Sequence, residues 1–166
     1  MIAVLIAFLI VLLDQATKVA VRQSMILGES WPVIAGYFNL TYLRNTGAVW
    51  GMFQAQNAWL IILSLLVLVL IAVFYRWLVD QRGVHRLAMG LMLGGIVGNL
   101  IDRIKLGWVT DFLDFYWQAS HWPAFNVADA AICVGVGIYL VSSFWRPACS
   151  SGCPENKRRP DALPSS

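Results

Sequence analysis

The chain has 166 residues, of which 59% are hydrophobic and only 13% are charged, against roughly 45–50% and about 25% in soluble domains. With a mean hydropathy of +0.68, this composition excludes a disordered chain, a coiled coil and a nucleic-acid-binding protein, and leaves a small integral membrane protein. The net charge of +3 sits mostly between apolar runs, where it is a topology signal and not a polyanion footprint.

The first apolar segment runs from Ile2 to Leu13 and continues through Asp14-Gln15-Ala16-Thr17-Lys18 to Val21. It has no basic lead and no small-residue cleavage site after it, so it reads as a retained transmembrane helix and not a removed secretory signal. Asp14 and Lys18 are four apart and share a helix face. An internal ion pair near a helix end, with Lys18 snorkelling, is expected. The connection from Gln23 to Asn57 contains Tyr37-Phe38-Asn39-Leu40-Thr41-Tyr42-Leu43. This run alternates weakly and carries strand formers, which predicts a small β element between Gly36 and Gly51.

The second span, Ala58 to Tyr75, is interrupted only by Ser64. Its helical length of about 27 Å is close to the hydrocarbon thickness. Trp59 and Trp77 flank it, as amphipathic rings at headgroup level do. Arg76, Arg82 and Arg86 follow it. The third segment, Leu87 to Ile101, carries Gly90, Gly94 and Gly98 at four-residue spacing, a stripe that admits a close helix neighbour. Asn99 and Arg103 lie four apart just beyond the stripe, with Asp102 beside them. The next connection, Asp102 to Asn126, holds Asp111 and Asp114 among apolar and aromatic neighbours. Those neighbours suggest partial burial, the alternative for one of the two being a solvated surface carboxylate. The fourth span runs from Val127 to Trp145, with Asp129 in its first turn, where an acidic residue suits the helix dipole. Pro147 to Ser166 is rich in Pro, Ser and charge and reads as a disordered tail. The expected organisation is a transmembrane unit over 1–146 and a tail over 147–166.

The Lys and Arg distribution places the connection after the second span and the tail in the cytoplasm. Both termini are then cytoplasmic, and the two longer connections face outward. Two carboxylates meeting at that surface could share one proton and supply an acid and a base together. A structural role or an ion path is the alternative at this point. Other chemistries lack their residues: there is no H-E-x-x-H, G-x-S-x-G or P-loop, and His85 and His121 have no matching metal ligands. Cys133, Cys149 and Cys153 do not form a disulfide framework.

Four stretches in order resemble the bacterial lipoprotein signal peptidase (signal peptidase II) family. They are Asp14-Gln15-Ala16-Thr17-Lys18; Asn45-Thr46-Gly47-Ala48-Val49-Trp50-Gly51; Gly94 to Arg103, followed by Gly107-Trp108-Val109-Thr110-Asp111-Phe112; and Phe125-Asn126-Val127-Ala128-Asp129-Ala130. Val49 and Trp50 depart from the family pattern, which commonly has a small residue and Phe there. The resemblance implies an all-α membrane protein of four transmembrane helices, with a small extracytoplasmic β-cradle and a short surface helix. It implies that Asp111 and Asp129 are the catalytic pair. Asn45, Gly47, Asn99, Arg103 and Asn126 are implied around the site, with Asp14 and Lys18 in support. The implied substrate is a prolipoprotein carrying a diacylglyceryl-cysteine, cut just before that cysteine at the outer face of the bacterial inner membrane. No metal, organic cofactor or nucleic acid is implied. Membrane lipid is the surrounding partner, one chain holds the site, and the loop from Asn45 to Gly51 is expected to close over substrate.

Overall fold

The computed structural model describes residues 1–47, 56–79 and 83–144. Among the described residues four helices are long and apolar enough to cross a membrane: α1 (Ile2–Ser24), α2 (Asn57–Leu78), α3 (Gly83–Leu106) and α4 (Val127–Phe144). Each expected span is present, and the first three extend further than their apolar cores suggest. Polar residues at the helix ends, such as Arg22 and Arg103, are helical because neighbouring elements satisfy them. Asp102 accordingly lies in the last turns of α3 and not in the connection after it.

The outer sides of α1, α2 and α4 expose Phe8, Leu12, Leu66, Val73 and Val141, as lipid-facing surfaces do. Trp59 and Trp77 are among the most exposed side chains. The central helix is α3, with 56% of its apolar window buried. Its glycines explain why. A Cβ on Gly90 would stand 2.7 Å from Ile6 Cβ and 2.8 Å from the Ala3 carbonyl oxygen, and one on Gly94 would meet Ile10 and Ala7 in the same way. On the adjoining face Gly95 abuts the Ala128 carbonyl of α4. The stripe therefore seats α1, and Gly95 seats α4, at distances no larger residue allows.

The remaining elements form one antiparallel sheet in the order β1 (Ser30–Ile34), β2 (Phe38–Asn45), β3 (Val109–Trp117), β4 (Ser120–His121). The strand expected within 36–51 is β2. The four helices and the small sheet expected beside them are both present, and the sheet is larger than the sequence suggested, because β3 was read there only as a connection. No separate short surface helix occurs among the described residues. Residues 48–51 of the expected closing loop, with Val49 and Trp50, lie outside the described residues, as does the tail. A small core of Val21, Met25, Tyr42 and Phe112 fixes the end of α1 to the sheet. Gly107, at φ +84°, ends α3 in the left-handed conformation that glycine adopts without penalty and turns the chain into β3.

Gly94→Ala should lower the unfolding free energy by about 1–3 kcal/mol through overpacking. Gly137→Ala, whose Cβ meets nothing within 4 Å, should not. Thermal unfolding in detergent measures both, and equal stabilities would contradict the close packing described here.

Candidate functional site

Asp111 and Asp114 are three apart on β3, so they point to opposite faces of the strand. Neither is solvated: Asp111 is 3% and Asp114 8% exposed. Asp114 lies 2.9 Å from His121 Nδ1 across the β3–β4 hairpin. Asp111, opposite Leu43 of β2, lines a pocket of about 980 Å³ with Asp129, Asn45, Asn99 and Arg103. The pocket's other walls are largely apolar and include Leu60 and Leu63 of α2, Ile96 of α3 and Ile132 of α4.

Asp129 owes its place to the start of α4. Asn126 stands as N-cap: its Oδ1 accepts the Asp129 N–H at 3.0 Å, and Asp129 Oδ2 accepts the Asn126 N–H at 3.2 Å. This is a reciprocal capping box. A further first-turn donor, the Ala128 N–H, goes to Asp14 Oδ1 of α1 at 2.9 Å. Asp129 is thus the acidic first-turn residue that the dipole argument anticipates, and it faces the pocket as well.

The capping box leaves the Asn126 amide free to donate, and its Nδ2 reaches Asp111 Oδ1 at 2.7 Å. Asn45 Nδ2 donates to Asp111 Oδ2 at 2.9 Å, and Asn99 Nδ2 donates to Asp129 Oδ1 at 2.7 Å. Each oxygen of both carboxylates therefore receives one N–H. Asn45 Oδ1 in turn holds the Gly47 N–H at 2.9 Å, and Gly47 O accepts from Arg103 at 3.3 Å. Burial first, and then the neighbouring Asp129 charge, push the Asp111 carboxyl up to about 7, against the lowering effects of Asn45, Asn126 and Lys18.

Asp14 and Lys18 do pair, at 2.8 Å, but both are 0% exposed. Lys18 does not snorkel. It turns inward to Asn99 Oδ1 at 2.9 Å and to Asp102 at 3.5 Å, because α3 offers acceptors there and the surrounding surface offers none. Asp102 also accepts the Thr110 N–H at 3.1 Å, which ties α3 to β3 next to Asp111. Gln15, which donates to the Gly98 carbonyl and Asp102, and Arg22, which donates to Thr110, complete this layer. Sequence reasoning missed them. Gln15 stands inside the Asp14–Lys18 motif, and its polarity in an apolar helix was the available signal.

A family model described as Signal peptidase (SPase) II matches residues 6–145. A lipoprotein signal peptidase of Geobacter sulfurreducens is 50% identical over 132 residues, 78% of this chain and 82% of that protein. One from Syntrophotalea carbinolica is 45% identical over 148 residues, 87% of this chain and 91% of that protein. A solved bacterial membrane enzyme structure superposes with a TM-score of 0.80 at 30% identity, covering 86% of this chain and 87% of the other. A second gives 0.71 at 29%, covering 87% and 94%.

Asn126→Ala removes the acceptor for the Asp129 N–H and the donor to Asp111. It should cost about 1–3 kcal/mol of folded stability, measurable by unfolding in detergent. Wild-type stability in this variant would show that the capping box does not hold this end of α4.

Proposed function

The chain belongs to the signal peptidase II family, membrane proteases that remove signal peptides from prolipoproteins, and we propose that it acts as an aspartic endopeptidase whose catalytic pair is Asp111 and Asp129. The observation that carries this reading is the Asn126 bridge. One residue donates its amide to Asp111 and caps Asp129, so that carboxylates from β3 and α4 share one pocket.

Two buried carboxylates facing each other hold a proton more tightly than either does alone. In the proposed reaction the ionised member takes a proton from water as the water attacks the scissile carbonyl. The protonated member donates to the carbonyl oxygen, and the leaving amine then recovers a proton from the pair. The scissile bond is the one preceding the diacylglyceryl-cysteine. The apolar walls of the pocket suit the hydrocarbon parts of such a substrate, and the sequence of steps uses no metal or organic cofactor.

By the arginine count of the α2–α3 connection, the pocket and the sheet face outward from the bacterial inner membrane, and both termini are cytoplasmic. We assign the peptidase unit to residues 1–146. Asp111, Asp129 and the asparagines that hold them come from the same chain, which supports a monomeric enzyme.

The test is a gel-shift processing assay with detergent-purified protein and a diacylglyceryl-modified prolipoprotein. Asp111→Asn and Asp129→Asn should each slow cleavage by about 10²–10⁴-fold, while Asp114→Asn stays near wild type and a chelator has no effect. Cleavage at close to the wild-type rate in either of the first two variants overturns the assignment. The pH profile is a second check. The pair needs its proton, so kcat/KM should fall as pH rises through about 7. Asn45→Ala removes a donor that favours the ionised form of Asp111, so its alkaline limb should move to higher pH. An unmoved limb would count against Asp111 as the titrating member.

A further inference from the structure

We infer that Lys18 is a positioning residue for the catalytic pair: it decides which way round the Asn99 side-chain amide stands, and so directs an N–H donor at Asp129. The inference rests on the assignment of Asp111 and Asp129 above. An asparagine amide can present either its oxygen or its nitrogen to a neighbour, and the two orientations have almost the same shape. At Asn99 one end meets Lys18 Nζ at 2.9 Å and the other meets Asp129 Oδ1 at 2.7 Å. An ammonium group only donates. The end facing Lys18 must therefore be the oxygen, and the end facing Asp129 must be the NH2.

Lys18 is well placed to enforce this orientation. Its three N–H donors have three acceptors, in Asp14, Asn99 and Asp102, at 2.8, 2.9 and 3.5 Å. It is fully buried and lies outside the pocket lining, whereas Asn99 is part of that lining. Its most direct route to the reacting groups is through Asn99, beside its charge and the longer paths through Asp14 to the first turn of α4 and through Asp102 to β3. With Asp129 Oδ1 held as an acceptor of Asn99 and Oδ2 as an acceptor of the Asn126 N–H, both of its oxygens keep a donor that favours the ionised form, the form that takes the proton from water. Without Lys18 the Asn99 oxygen loses the donor that holds it, and only the Asp129 carboxylate is left to orient the amide.

Lys18→Met keeps the length of the side chain and removes the donor. In the full chain it should lower kcat by about 10–100-fold, the scale of other outer-layer partners, with little change in KM. It should also move the alkaline limb of kcat/KM to higher pH, because a donor and a positive charge that favour ionisation are gone. A merely structural lysine would reduce the yield of folded protein without moving that limb. The companion variant Lys18→Met/Asp14→Asn removes both members of the 2.8 Å buried pair, so Asp14 is not left as an uncompensated buried carboxylate, and the same shift is expected in it. In an Asn99→Ala background, adding Lys18→Met should cost little further activity. Wild-type kcat with an unmoved limb in the folded variants, or losses from Lys18→Met and Asn99→Ala that simply multiply, would overturn the inference while leaving the dyad in place. Cleavage at close to the wild-type rate by Asp111→Asn or Asp129→Asn would instead remove the dyad, and the inference with it.

Discussion

A charge placed among membrane helices must be met by an opposite charge or by hydrogen bonds, since neither lipid nor packed side chains can solvate it. The Asp14–Lys18 pair is where this chain meets that demand, and much of the rest follows. Asp14 alone would be a buried anion. Paired with Lys18, it can accept a backbone N–H from the first turn of α4. Lys18 alone would have to reach for the interface. Paired, it extends sideways into α3. One turn of α1 thereby orients the two elements that carry Asn99 and Asp129.

The glycines make these polar contacts possible. A Cβ at Gly98 would stand 2.6 Å from Asp14 Oδ2, so any larger residue would push α1 away and separate the carboxylate from its partners. Close helix packing and the polar layer are in this sense one feature. The first lets short side chains such as Asp and Asn reach across from helix to helix, and the second rewards the approach with charge-assisted hydrogen bonds.

The four spans were legible in the sequence because their apolar runs are long and the bilayer tolerates little else. Gly90, Gly94 and Gly98 announced close packing by spacing alone. The site was legible only in part. Asp14 with Lys18 and Asn99 with Arg103 showed themselves through helical spacing, and Asp129 through its position in a first turn. Choosing Asp111 over Asp114 required either a family likeness or the strand alternation of β3, and β3 itself was hidden. Its apolar residues face both the α1 junction and neighbouring strands, so Val109–Trp117 shows little of the in-out alternation that marks a half-exposed strand. The inward turn of Lys18 was hidden for a different reason. Spacing along one helix says which residues share a face, but not what another helix brings to meet it.

The capping box gives Asp129 two duties, since the carboxylate that faces the pocket also ties down the first turn of its own helix. Helix ends commonly open before helix middles, but this one is clamped: Ala128 is fully buried against Gly95 and Gly98, and its N–H goes to Asp14. The geometry of the pocket therefore rests on the same close approach that holds α1, α3 and α4 together. Whatever parts those helices also carries Asp129 away from its partners, so the site and the bundle should be lost together.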